Sequence, residues 1–276
     1  MLRSTVLAVT AAALFTGTLT AQRREYARTY IVPRATAPLI IDGLADDDAW
    51  AEVTWSRTYV DILGSMWADP VYSTRMKLLW DDEFLYVVAV LQEPHLWATL
   101  LERDAIIYHD DDFEVFLDPD GDGLAYYELE INALGTEFDL FLDRPYNDGG
   151  TADIPWDMPG LKTGVSLQGS LNDPSDQDEG WSVEIAIPWA DLHPPGVDEA
   201  GLPPEVDDVW RANFSRVEWP LAVVDGRYKK TAEADAQNPH PEENWVWSPQ
   251  GEINMHIPDR WGRLWFVDGG PNGDER

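Results

Sequence analysis

The 276-residue sequence contains no cysteine. That absence removes disulfides, thiolate metal sites and cysteine nucleophiles together. An apolar core must hold the fold, with or without a bound ion. Positive charge is scarce too. Against 51 Asp and Glu stand 19 Lys and Arg, for a formal net charge of −32. The only lysines are Lys77, Lys162, Lys229 and Lys230. Nucleic acid is a poor partner for such a chain, because its phosphates need a basic face, and an anionic membrane surface is poor for the same reason. Catalytic signatures are also missing: there is no Gly-x-Ser-x-Gly, no zinc-binding helix motif and no phosphate loop. Glycosidase chemistry needs two carboxylates at a set separation. With 51 acidic residues some pair always fits, so that fit supports nothing.

What is abundant is acid and aromatic surface. The acid has two readings: a highly solvated surface, screened in salt, or divalent-cation binding. The first accounts for the bulk of the charge. The 14 Trp, 10 Tyr and 8 Phe supply a large core and, in excess, a binding surface. At the start, Met1-Leu2-Arg3 precedes an apolar stretch from Val6 to Leu19 and the small-residue step Thr20-Ala21-Gln22. This pattern predicts a secretory signal peptide over residues 1–21, an exported protein (periplasmic or extracellular), and no membrane span after cleavage. Residues 22–28 read as a charged leader and 269–276 as a polar tail, leaving residues 29–268 for the folded domain.

Within that span the pattern is strand, turn, strand. Arg75–Trp80 and Phe84–Val90 flank Asp81-Asp82 as a hairpin. Phe113–Asp118 runs into the turn Pro119–Gly123. In Tyr126–Asn132, Leu129 and Ile131 alternate with Glu128, Glu130 and Asn132 at period two. Residues 136–142, 181–187, 211–217 and 263–267 complete the set. Helical signals are confined to single turns near Asp46–Trp50 and Trp189–Leu192. Many short strands predict an all-β, antiparallel sandwich of immunoglobulin-like or jelly-roll type. Two long irregular loops, Pro194–Asp208 and Asp225–Glu243, interrupt it.

Four clusters are candidates for chemistry. Asp118, Asp120 and Asp122 crowd one turn before Gly123 and could hold calcium, although Asp and Gly are also what hairpin turns use. Glu128, Glu130 and Asn132 share one strand face and could line a cleft where carboxylates accept from sugar hydroxyls; a wet outer face is the equal alternative. Asp110-Asp111-Asp112, after Tyr108-His109, could hold an ion or touch a sugar, and as a surface charge run it needs no explanation. Trp245 and Trp247 lie one residue apart and so share a face, for stacking or for core packing.

Four motifs, in order along the chain, make the sequence similar to the family 9 carbohydrate-binding modules of the DOMON-like β-sandwich superfamily. They are PLIIDGLADDDAW (Pro38 to Trp50), LLWDDEFLYVVAVLQEPHL (Leu78 to Leu96), DDFEVFLDPDGD (Asp111 to Asp122) and GWSVEIAIPWADL (Gly180 to Leu192). The resemblance implies a non-catalytic module that binds carbohydrate, accompanies glycoside hydrolases acting on xylan or cellulose, and carries calcium. It places one sugar-stacking aromatic at Tyr108, the polar contacts at Glu128, Glu130 and Asn132, and the second stacking position at Met255. Asp112, Arg216 and His256 join the expected ligand set, with Trp245 or Trp247 substituting for the missing ring. Related sandwiches hold haem between Met and His. This makes Met255 or Met66 with His109 or His256 an alternative, and an accessory part of a glycoside hydrolase is another.

Overall fold

The computed structural model describes residues 27–64, 66–197 and 201–269. The expected signal peptide, most of the expected leader, nearly all of the expected polar tail and the middle of the first long loop lie outside them. Among the described residues there are fifteen strands: β1 (Thr29–Pro33), β2 (Val60–Asp61), β3 (Thr74–Trp80), β4 (Phe84–Gln92), β5 (Asp112–Asp118), β6 (Tyr126–Asn132), β7 (Glu137–Leu142), β8 (Ala152–Asp153), β9 (Lys162–Gln168), β10 (Gly180–Pro188), β11 (Val209–Glu218), β12 (Leu221–Val224), β13 (Arg227–Lys230), β14 (Glu243–Val246) and β15 (Gly262–Val267). The larger sheet has the order β1-β15-β11-β5-β6-β7-β8, with β14 joined to β11 and β2 to β14. The smaller has the order β3-β4-β10-β9. Pairing is antiparallel except between β1 and β15. The two expected helical turns appear as α1 (Asp48–Ala51) and a 3-10 turn at Trp189–Asp191. The second long loop is less irregular than expected, because β12 and β13 form a hairpin within and beside it.

The alternation read from the sequence sets the layers. Phe113, Val115 and Leu117 of β5 and Tyr127, Leu129 and Ile131 of β6 meet Met76, Leu78, Val87, Val183 and Ile185 of the smaller sheet in one core. The opposite face of the larger sheet is not open to water. Phe116, Tyr126, Phe138, Leu140, Leu142 and Val246 build a second apolar layer there, closed by Ile62, Ile107, Met255 and Trp261. The loops that cover this layer also bury the polar residues between the apolar ones.

Glu184, fully buried on β10, ties two of the quoted motifs together. Its carboxylate accepts Trp50 Nε1–H at 2.8 Å and the Asp42 N–H at 3.0 Å. Gly43 has φ +91°, and a Cβ there falls 2.6 Å from Ser166 N, so the Ile-Asp-Gly step needs its glycine for conformation and for space. Glu184→Ala strands an indole N–H and a backbone donor in the interior. It is expected to cost about 2–4 kcal/mol, from lost hydrogen bonds to a charged group and unpaired donors. A urea unfolding midpoint measures this.

Candidate functional site

The register of β5 against β6 brings acids together. Asp112 pairs with Asn132, Glu114 with Glu130 and Phe116 with Glu128, all directed to the outer face of the larger sheet. Asp112, Glu114, Glu128 and Glu130 are all buried, and ligand oxygens of Asp112, Glu114 and Glu130 lie within 4.8 Å of one another. Their hydrogen bonds are few. Asp112 Oδ1 accepts Val217 N–H at 3.0 Å, Glu130 Oε2 accepts Tyr108 N–H at 2.8 Å, and Ser215 Oγ donates to Glu114. Asp112 Oδ2 and Glu128 Oε2 have no partner. Burial, then mutual repulsion, pushes Asp112, Glu128 and Glu130 well above the ordinary carboxylate range. Burial also lifts Glu114 to about 7.

Aromatic rings stand over this row. Tyr108 is 40% and Tyr146 46% exposed. Burial raises both phenols, and the charges of Glu128 and Glu130 act on both. The Tyr146 ring lies edge-on to His256 at 4.5 Å. His256 Nδ1 is 3.0 Å from the Tyr126 hydroxyl and Nε2 is 3.9 Å from Glu128. Burial lowers its pKa to about 4, which keeps the ring neutral. Both ring nitrogens therefore already face protein partners. Met255 is buried in the second apolar layer and Met66 is 85% exposed, and nothing in the site's geometry favours the haem alternative.

Other expected positions turn out differently. Trp245 and Trp247 do share a face, but it is the inter-sheet core, so their rings are packing groups. Arg216 is fully buried on that same side. It pairs with Glu93 and with Glu218 and donates to Gln92 O at 2.8 Å. It is a structural cation, remote in direction from the outer-face row. The Asp110–Asp112 run is not surface charge. Asp110 accepts from Thr99 N and Oγ1, Leu100 N and Asn132 Nδ2, while Asp111 accepts from Trp219 N, so the acids hold neighbouring loops by their backbone donors. In the Asp118 turn the oxygens are within ligating distance of each other. They are also satisfied locally: Asp118 accepts Gly121 and Gly123 N–H, and Asp122 accepts Leu124 N–H. An open cavity of about 490 Å³ lies beyond His109 and Asp110, walled by Trp97, Trp219 and Tyr228 with Lys230 over the Trp219 ring. The carboxylate row does not line it.

Sequence reading missed Glu114 and Tyr146. Glu114 was legible, since Asp112 and Glu114 alternate with Phe113 and Val115 just as Glu128 and Glu130 alternate with Leu129 and Ile131. Tyr146 follows a strand in a loop and carries no pattern at all.

Comparison with known proteins gives one family and a fold. Residues 41–203, more than half of the chain, match the model of the carbohydrate family 9 binding domain-like family. Over 155 residues, 56% of this chain, the sequence is 31% identical to endo-1,4-beta-xylanase A of Thermoanaerobacterium saccharolyticum, covering 11% of that enzyme. The chain thus spans about a tenth of the length of the curated relatives it matches. A family 9 carbohydrate-binding module from Caldicellulosiruptor kristjanssonii, solved with cellotriose, superposes with TM-score 0.54 at 20% identity, covering 88% of this chain and 95% of that one. A Bacteroides uniformis protein superposes with TM-score 0.60 at 16% identity, covering 86% and 98%.

Proposed function

We propose, from the premise that this chain belongs to the carbohydrate family 9 binding domain-like family, that it binds a sugar on the outer face of the larger sheet and performs no hydrolysis itself. The observation carrying this reading is the pair of half-exposed rings, Tyr108 and Tyr146, over a floor of Glu128 and Glu130. A pyranose offers apolar C–H faces to rings and hydroxyl protons to carboxylates. The rings, in the turns Ile107–His109 and Tyr146–Asp148, meet the first need, and the acids of β6 lie buried beneath them, all inside the family match. Tyr146 takes the place of the second stacking group, because Met255 is buried. The similarity to a stretch of a xylanase and the fold shared with a cellotriose-bound module support a β-1,4-linked glucan or xylan ligand and work beside glycoside hydrolases. The signal-like first 21 residues support a place outside the cytoplasm.

Tyr108→Ala is expected to lower affinity for cellotriose or xylotriose by about 1 kcal/mol, the scale of one aromatic contact, or roughly fivefold. The melting temperature should be unchanged, since the ring is half exposed. Isothermal titration calorimetry reads the affinity. No heat from any cello- or xylo-oligosaccharide, with calcium present, removes the reading.

A further inference from the structure

We infer that the open cavity beyond His109 and Asp110 is a second carbohydrate subsite, one that takes the carboxylate of an acidic sugar (a uronic acid) on Lys230. The cavity measures about 490 Å³, within the roughly 300–1,000 Å³ common for ligand pockets. Trp97 and Thr99, after β4, line one part of it, and Tyr228, Lys229 and Lys230 of β13 line another. The chain has only four lysines against 51 acids, and two of the four line this one opening. Lys230 Nζ sits 3.4 Å from the centroid of the Trp219 ring and 5.7 Å from that of Trp97. Among the described residues no carboxylate forms an ion pair with Lys229 or Lys230.

The acids nearby do not satisfy this ammonium. Asp110 also lines the cavity, but its oxygens already accept from Thr99 N and Oγ1, Leu100 N and Asn132 Nδ2. Glu233 is exposed and reaches Lys230 only through its charge. Burial lowers the Lys230 pKa, while the charges of Glu233 and Asp110 act the other way. The ammonium has thus given up water to two indole rings without gaining a hydrogen-bonded acceptor. An entering carboxylate supplies one, and a charge-assisted hydrogen bond is about twice as strong as a neutral one. The acidic surface elsewhere does not forbid an anion, because charges beyond about 8 Å are screened at physiological salt. Phosphate fits less well. It is commonly held by backbone N–H groups of a glycine loop or helix N-terminus, and neither a glycine nor an α-helix lines this opening. The sugar character of the ligand rests on the carbohydrate reading of the outer face; its charge rests on the cavity alone. The two sites share a wall. The His109 ring lies 4.6 Å from that of Tyr108, and Trp219 Nε1 donates to Tyr108 O at 2.9 Å. Burial, then the Lys230 charge, lowers the His109 pKa, so its neutral ring offers one donor and one acceptor to hydroxyls. A glycan stacked on Tyr108 places its next residue or side branch at the cavity.

The test compares two oligosaccharides that differ only in charge. One is xylotriose carrying a single glucuronic acid branch. The other is the same compound after reduction of its carboxyl group, which leaves a neutral glucose branch. Full-length protein is titrated with each by calorimetry at pH 7.5, at low and at high salt. Wild type is expected to bind the acidic compound about tenfold more tightly, the scale of one hydrogen bond to a charged group. The preference should shrink at high salt, as screening of a partly exposed ion pair requires. Lys230→Met keeps the packing on Trp219 and removes the charge, and it should bring the two affinities together. Lys230→Arg keeps the charge and should keep the preference. Equal affinity of wild type for the two compounds overturns the inference and leaves the outer-face reading standing. A preference that survives in Lys230→Met overturns it as well. Binding of the acidic compound alone supports the subsite and removes the outer-face reading. Binding of neither removes both. The wild-type comparison decides without any variant, so a substitution that fails to fold does not shield the inference.

Discussion

Arg216→Met should destabilise the protein by about 3–5 kcal/mol at pH 7.5, the scale for removing one partner from a buried ion network. The guanidinium has no exposure. It donates to Glu93, to Glu218 at 2.5 Å and to Gln92 O at 2.8 Å, and it lies over the Trp245 ring at 5.1 Å. These contacts join β11 of one sheet to the end of β4 in the other. Methionine fills much of the volume but leaves Glu93, Asp111 and Glu218 facing one another without a counter-charge. At pH 5 the same substitution should cost clearly less, because burial already lifts Asp111 and Glu218 and protonation then relieves their repulsion. Urea midpoints at the two pH values measure the difference. Equal losses at both would show that packing on Trp245, rather than charge, is what Arg216 contributes. Sugar affinity of the folded variant should match wild type, since Arg216 points away from the outer face.

The sandwich was legible because turning one strand face to the inter-sheet core leaves period two in the chain. Leu129 and Ile131 against Glu128 and Glu130 gave the direction of β6, and the hairpin at Asp81 gave β3 and β4. What the sequence hid is the second layer. A face bearing Glu, Glu and Asn reads as wet, but Phe116, Tyr126, Phe138 and Leu140 share that face and draw loops over it. Whether a carboxylate in such a row meets water depends on residues more than a hundred positions away, such as Met255 and Trp261, and no local pattern records that. The same distance effect left the reading of Trp245 and Trp247 open. Two rings on one face of an extended segment are equally a platform or a core, and the pairing of Trp245 with Arg216 across β11 and β14 decides for the core. The Asp110–Asp112 run failed for a related reason. Its acids serve as acceptors for the N–H groups of Thr99, Leu100, Val217 and Trp219, which become neighbours only in the fold.

Metal-free protein should lose stability as pH rises from about 5 to 7.5, the reverse of the usual acid denaturation. Glu114 titrates near 4.5 when unfolded and at about 7 when folded. Between those values the folded state holds the extra proton, so stability falls as pH rises through the window and levels above about 7. Asp112, Glu128 and Glu130 shift in the same direction, as do Asp118 and Asp139, each lifted by burial to about 6. His256 works in opposition. Its folded value of about 4 lies below its unfolded 6.5, so it removes stability as pH falls through that range. One histidine does not outweigh this many carboxyls, and the melting temperature in chelator should be lower at pH 7.5 than at pH 5.5 by roughly 5 °C or more, at about 2–4 °C per kcal/mol for a chain of this size. Scanning calorimetry at the two pH values in chelator reads the effect. A melting temperature that climbs from pH 5.5 to 7.5 in chelator would mean that water reaches Glu114, Glu128 and Glu130, and the enclosed carboxylate floor would have to be given up.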